Sequence, residues 1–161
     1  MRDQEQERTN RTYSEQSDQI DAGVSVMVNG KRVKAYWAKS CQHKAVGESA
    51  YNDGRYCAAA SRLYYALRFA AGAILLKRTN EDYIPRPYLH KDLIKASGAV
   101  LGDIRRDLQY WFQRARTLRE KGDYKDIPVR PNEIEAIQKA IGSVFEQIDR
   151  ELNPQNHNPV N

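Results

Sequence analysis

The sequence is poor in the features that mark secreted, membrane-spanning and metal-binding proteins. Only two of its 161 residues are cysteines, Cys41 and Cys57, and its N-terminal segment is almost wholly polar, without the apolar run of a secretory signal. The three histidines, His43, His90 and His157, have no metal-ligand spacing with each other or with the cysteines. We therefore expect reduced core cysteines, a cytoplasmic location, and neither a metal nor a cofactor.

Several patterns that would identify an enzyme class are also missing. There is no nucleophile elbow, phosphate-binding loop, dinucleotide-binding glycine pattern or diagnostic pair of acids, and no internal repeat. The longest apolar run, residues 63–76, would span about 21 Å as a helix, which is too short to cross a bilayer. These absences favour a helical domain that has no contact with membrane.

The apolar run is the most informative stretch that is present. Between Leu63 and Leu76 only Arg68 is charged, and the apolar side chains continue all round the helix. A helix without a polar side has no surface for water, so it must be the central element of a bundle.

The rest of the pattern divides the chain into four segments. Residues 1–22 are polar and carry six acids against three arginines, which predicts a disordered tail. Residues 23–35 alternate around the Asn-Gly dipeptide at 29–30, a preferred two-residue turn, and are predicted to form a β-hairpin. Residues 36–152 have helical periodicity, and 153–161 are a flexible tail. The predicted fold class is all-α, an up-and-down bundle of about five helices with an N-terminal β-hairpin.

Apolar spacing and turn residues set the expected helix boundaries. The predicted helices cover about 36–51, 55–77, a short or broken element after 89, 103–120 and 132–152. Cys41 is expected on the buried face of the first helix. Gly54 and Gly122 are expected to end the first and fourth helices, and Asn132 with Glu135 to form the N-cap of the last.

The basic residues are unevenly distributed. Beyond residue 22 the chain carries a net charge of about +8, which favours phosphate-rich partners. At about 100° per residue, Arg105, Arg116 and Arg119 line one edge of the apolar face of the fourth helix. Such a row is suited to bidentate phosphate recognition, and pairing with acids of neighbouring helices is the alternative. These three arginines are the candidate RNA- or phosphate-binding residues.

A compact polar cluster follows this row. Asp123 could orient Arg119, and the Tyr124 hydroxyl could bind a phosphate or accept a modification. Closing the helix is the alternative role for both. His90 opens the third helix, where the helix dipole favours the neutral imidazole that a general base needs, and capping is its alternative role. Arg119, Asp123, Tyr124 and His90 are the candidate catalytic residues.

In combination, these motifs resemble the HEPN superfamily, small helical domains named for their occurrence in higher eukaryotes and prokaryotes. The similarity covers about residues 36–150 and is greatest to small single-domain bacterial and archaeal members. The matching residues are the turn at 51–56, ASRLYYA at 60–66, AAGAILL at 70–76, His90, and LREKGDY at 118–124.

The resemblance implies a homodimeric bundle whose motif-bearing helices face one another. Many members are metal-independent ribonucleases of toxin–antitoxin, antiviral defence or stress-response systems. They cut RNA with an arginine followed, after four to six residues, by a histidine from each subunit, and other members partner a minimal nucleotidyltransferase. In this chain no histidine follows Arg116 or Arg119 at that spacing, and Asp123 and Tyr124 fill the position.

Three functional hypotheses remain open on the sequence. The leading one is a HEPN-type homodimer that binds RNA or a nucleotide in an arginine-lined cleft and could act as a ribonuclease. The second is a non-catalytic module that pairs with a nucleotidyltransferase or another protein. The third is a structural phage or plasmid protein that reuses the fold. The arginines favour the first and the missing histidine favours the second. Trp111 and Phe112 on different sides of the fourth helix also suggest a dimer.

Overall fold

The computed structural model describes residues 30–80, 98–125 and 127–157, and these form an all-α bundle. The four α-helices are α1 at 30–52, α2 at Tyr56–Thr79, α3 at Arg105–Tyr124 and α4 at Pro131–Leu152. No strand occurs in these three ranges. The predicted all-α class is confirmed, whereas the predicted third helix falls mostly on residues 81–97, outside the described part of the chain.

Helix α1 replaces the second half of the predicted β-hairpin. Residues 30–35, assigned to the return strand, are helical, and Val33 is only 7% exposed in the core. Because Val33, Ser40 and Gly47 recur every seven residues, a helix can turn all three towards its neighbours, and this packing overrides the local turn preference. The hairpin prediction is therefore wrong for 30–35, while residues 1–29 lie outside the described ranges.

Helix α1 ends at the predicted stop signal. Gly54 has φ of +73°, its N–H donates to the carbonyl of Tyr51 at 2.9 Å, and the N–H of Arg55 donates to the carbonyl of Ala50 at 2.8 Å. These bonds form a Schellman motif, in which glycine adopts the left-handed conformation without a Cβ clash. The turn sends α2 back antiparallel to α1.

Small residues let α1 approach α2 closely. The Ser40 hydroxyl is fully buried and donates to the carbonyl of Ala66 at 2.7 Å. A Cβ added to Gly47 would lie 3.0 Å from Cδ2 of Leu63. Cys41 is exposed rather than buried, and Cys57 is exposed as well. The prediction of two core cysteines is wrong, in the case of Cys41 because the face of α1 that packs on α2 carries Ser40 and Gly47 instead.

Helix α2 is the central element, as its composition predicted. It packs against α3 and α4 as well as α1, and every residue from Ala70 to Leu76 is buried. Tyr65, Arg68 and Phe69 are the exception to the all-round apolar pattern, because they stay partly exposed along one side of the helix.

Helix α3 differs from its predicted course at both ends. It follows a short 3-10 segment, Gly98–Ile104, that is kinked at Gly102, where φ is +46°. It continues through Gly122 to Tyr124, so the prediction that Gly122 ends the helix is wrong. A Cβ at Gly122 would lie 2.9 Å from Sγ of Cys57, which shows that this glycine permits close packing of α3 on α2.

Helix α4 begins at Pro131, and its N-cap differs from the predicted Asn132. The Glu133 carboxylate accepts the Arg130 N–H at 2.9 Å and a bond from Lys121 of α3 at 3.0 Å. Proline suits the first helical turn because its missing N–H would have no partner there. The apolar residues whose spacing predicts the buried face of this helix lie in the core, except for Leu152 at its end, which is partly buried; those in the core are Ile134, Ile137, Ile141, Val144 and Ile148.

The chain beyond α4 folds back onto it. Pro154–Asn156 forms a 3-10 turn, and His157 contacts the Asp149 carboxylate at 2.8 Å, within the segment that was expected to be a flexible tail. Arg78 at the end of α2 binds Glu151 of α4 through two bonds of 2.8 and 2.7 Å. Within the described ranges, no helix is long and apolar enough to cross a membrane.

Candidate functional site

Arg119 lies at the centre of a cluster built from two helices. Its guanidinium carbon is 4.9 Å from the ring centres of both Tyr64 and Tyr65 on α2. Within α3, its Nε donates to Asp123 at 3.4 Å and its Nη2 donates to the Tyr124 hydroxyl at 3.1 Å. The expected contact of Arg119 with Asp123 and Tyr124 is therefore present. We call these five residues the Arg119 cluster.

The helical course of α3 through Gly122 creates this arrangement. Asp123 is four residues after Arg119 and lies one turn further along the same side of the helix, and the long side chain of Tyr124, five residues after Arg119, brings its hydroxyl to the guanidinium. If Gly122 ended the helix, this spacing would be lost. The close approach of Gly122 to Cys57 thus fixes the last turn of α3 against the beginning of α2.

The guanidinium group retains capacity for a ligand. Arginine has five N–H donors, and within the described residues Arg119 uses one for Asp123 and one for Tyr124. Its side chain is 21% exposed, so the aromatic contacts shield it from water without enclosing it. A positive group held in place by rings, with donors to spare, is suited to an oxyanion such as a phosphate.

Aromatic rings continue from this cluster across α2 to α1. His43 of α1 stacks on Tyr65 and on Phe69, with ring centres 5.4 Å apart in both pairs. The ring of Tyr36 meets Phe69 edge-on at 5.5 Å. We call Tyr36, Phe69, His43 and Tyr65 the ring row. All four side chains are half-buried, so the row is part of the surface.

The ring row is surrounded by positive charge. The Lys39 ammonium lies 5.5 Å and the Arg68 guanidinium 5.9 Å from the ring centre of Phe69. Arg62 is exposed nearby on α2, and together with burial and Lys39 it lowers the pKa of His43, burial having the largest effect. Lys39, Arg62 and Arg68 form no ion pair with any described carboxylate. The surface therefore combines unpaired cations with a neutral imidazole.

His43 was not singled out as a functional residue from the sequence. Tyr36, Lys39 and His43 recur at helical spacing beside the buried face of α1, which is the one signal that could have found them. The signal is weak, because the rings that His43 contacts belong to α2. Only the antiparallel packing of the two helices brings them together.

The other predicted residues do not join the cluster. Arg116 pairs with Glu120 at 2.9 Å. An ion pair was the expected alternative to phosphate binding, but the acid belongs to the same helix and not to a neighbouring one. Phe112 is buried in the core and Trp111 is half-buried against it, and the dimer that this pair suggested stays a prediction. His90 and the side chain of Arg105 lie outside what the structure describes.

A second concave surface lies between α1 and α4. This groove of about 500 Å³ has Trp37 and Phe145 in contact on its floor, with ring centres 5.0 Å apart, and Cys41 at its side. Although Cys41 is exposed at the rim of the groove, partial desolvation of its thiol and the Asp149 carboxylate raise the pKa of this thiol, which leaves it protonated and weakly nucleophilic. The described residues form no cluster of three or more His, Cys, Asp and Glu side chains that could hold a metal ion.

Comparison with known proteins gives no relative. No family model matches the chain, and neither a curated protein nor a solved structure is significantly similar to it. The resemblance to the HEPN superfamily stays a prediction.

Proposed function

We propose that this chain binds RNA or a nucleotide through the Arg119 cluster, as a HEPN-type homodimer. The main observation in support is the Arg119 guanidinium, which contacts the rings of both Tyr64 and Tyr65. Three of its five N–H donors have no partner among the described residues. A cation fixed in this way loses little conformational freedom when it binds a phosphate, so more of the interaction energy contributes to affinity.

The surrounding charge supports the same ligand. Arg62 and Arg68 of α2 and Lys39 of α1 surround the rings that continue from Arg119, and Asp123 is the one carboxylate bonded to Arg119 among the described residues. Phosphate groups would be attracted by this excess of positive charge, and their condensed counterions would be released on binding.

Salt dependence tests the proposal directly. Binding of a fluorescently labelled single-stranded RNA should weaken steeply between 50 and 200 mM salt, on the order of tenfold per few phosphate contacts. Arg119→Ala should lower affinity and reduce the salt slope by about one charge per site, whereas Arg119→Lys should restore binding only in part because lysine lacks the planar fork. Arg106→Ala, an exposed arginine on another side of α3, is the matched control.

Ribonuclease activity is the further step of this proposal. In the absence of a histidine four to six residues after Arg119, the base for attack by a 2′-hydroxyl would have to come from His90 or another group, and such a base contributes about 10²–10⁴ in rate. Any cleavage is expected to persist in a chelator and to fall in His90→Ala. Cleavage that disappears with chelator would contradict a metal-independent mechanism.

The second candidate function is a non-catalytic module that partners a nucleotidyltransferase or another protein. One observation favours it: Asp123, at the position where a histidine would be expected, bonds to Arg119 rather than offering a base. Absence of RNA binding below about 100 μM would leave this function standing and remove the first. Sedimentation at tens of micromolar tests the homodimer separately, and a monomer would argue against it.

A further inference from the structure

The ring row has properties that phosphate binding does not require. Its four rings form one continuous series, since Tyr36 contacts Phe69, Phe69 contacts His43 and His43 contacts Tyr65. Phosphate recognition by Arg119 would need only the final ring of that series. Half-buried rings on a basic surface suit a partner that combines flat apolar faces with negative charge.

The geometry matches unpaired nucleobases. The rings of His43 and Phe69 are parallel to within 6° and stack on each other, so a base that adds to this series would continue an existing stack. Tyr36 and His43 are seven residues apart on α1, about 10 Å along the helix axis, a distance that a few nucleotides of a single strand can span. In a duplex the base faces are already stacked on one another and are not free to contact a protein ring.

The charges beside the ring row fit the backbone of such a strand. Lys39 and Arg68 both lie beside Phe69, each within about 6 Å of its ring centre. No described carboxylate neutralises them, so both are free to contact phosphates that flank a stacked base. The arrangement of rings between cations is typical of surfaces that bind single strands without reading their sequence.

We propose that the ring row is a stacking platform for unpaired bases, which makes this protein selective for single-stranded over double-stranded nucleic acid. This inference rests on the proposed function, because Arg119 and its cluster would hold the phosphate at one end of the platform. It adds a binding surface, formed by α1 and α2, that lies outside the motif-bearing end of α3.

The closing experiment compares one labelled 12-nucleotide RNA, single-stranded and annealed to its complement, by fluorescence anisotropy at low salt. Wild-type protein should bind the single strand at least about tenfold more tightly. Phe69→Leu keeps an apolar side chain and removes the ring, and it should weaken single-strand binding by about five- to a hundredfold, the effect of losing one stacked base. Duplex binding should change little.

Tyr110→Leu is the matched control, because Tyr110 is an aromatic residue of α3 that is 57% exposed and lies outside the ring row. It should leave both affinities unchanged, and circular dichroism melts should show that each variant is folded. His43→Leu provides a second removal of a ring, in case Phe69→Leu fails to fold.

The outcomes separate the two proposals. If wild type binds strand and duplex equally, and Phe69→Leu and His43→Leu bind as wild type while Arg119→Ala is weakened, the stacking platform is refuted and phosphate binding by Arg119 stands. If wild type binds neither nucleic acid, both proposals fall. Selective loss of single-strand binding in the ring variants supports the platform.

Discussion

Two glycines inside helices offer a direct test of how α1 is held against α2. Gly47 lies in α1 and Gly142 in α4, and both have helical neighbours on either side. Replacing an interior helical glycine with alanine stabilises a helix by about 1 kcal/mol when space permits. Because a Cβ at Gly142 would meet nothing within 4 Å, Gly142→Ala should raise the free energy of unfolding by about that amount.

Gly47→Ala should behave in the opposite way. Its Cβ would lie 3.0 and 3.1 Å from Cδ2 and Cγ of Leu63, and 3.3 Å from Cβ of Arg62. Leu63 is fully buried and cannot move aside without disturbing the core, so overpacking costs about 1–3 kcal/mol and outweighs the propensity gain. Relative to Gly142→Ala, the Gly47 variant should unfold with a free energy about 1–3 kcal/mol lower.

Urea unfolding followed by circular dichroism gives both values under one set of conditions. The slopes of the two transitions should agree, so that the midpoints report stability alone. In addition, Gly47→Ala should displace α1, separate His43 from Tyr65 and weaken binding of a single-stranded RNA. Gly142→Ala should not have this effect. Equal stabilisation by both substitutions would refute the close approach of α1 to α2 and, with it, the position assigned to the ring row.

Three further outcomes are expected. Asp123→Asn should tighten binding of single-stranded RNA by about three- to fivefold in an anisotropy titration, because it removes a negative charge beside the phosphate site, and unchanged affinity would place the phosphate elsewhere. Burial lowers the pKa of His43 below its ordinary value of 6.5, so the folded state releases a proton that the unfolded state keeps. The contribution of His43 to the free energy of unfolding should therefore be fully present above pH 6.5 and fall as the pH drops below that value. His43→Gln should flatten this dependence in urea titrations at pH 7.5 and 5.5. Glu151→Gln should lower the free energy of unfolding by about 1 kcal/mol, because Arg78 loses a two-bond ion pair whose members are both partly exposed. Glu146→Gln is the control and should leave the free energy of unfolding unchanged, because the Glu146 carboxylate has no ion pair among the described residues.

The parts of the fold that follow from local pattern could be predicted from the sequence. The spacing of apolar residues predicts the buried stripe of α4 and the central position of α2. A single glycine, Gly54, predicts the end of α1. The beginning of α1 could not be read in this way. The Asn-Gly dipeptide and the valines before it favour a hairpin, and only the contact of Val33 with the core reverses that preference.

Gly122 shows the same difficulty at the site. In a sequence, a glycine near the end of a helical pattern indicates a stop, because it is the usual residue of a C-cap. In this fold it is required by Cys57, a residue of a different helix. His43 was likewise missed because Tyr65 and Phe69 define its surroundings, and neither is near it in sequence. Properties that depend on pairs of helices are thus the ones that the sequence conceals.

The contact between Gly122 and Cys57 makes one thiol a reporter for the candidate site. The Cys57 sulfur occupies the space that a Cβ of Gly122 would fill. Gly122 directly precedes Asp123 on α3. If the last turn of α3 unwinds, this sulfur loses its neighbour, while Cys41 on α1 keeps its surroundings beside Asp149. The ratio of alkylation rates at the two thiols would therefore follow the folding of that turn within a single molecule, with Cys41 as the internal reference. The two natural cysteines would therefore report whether the turn that holds Arg119 against Asp123 and Tyr124 is folded.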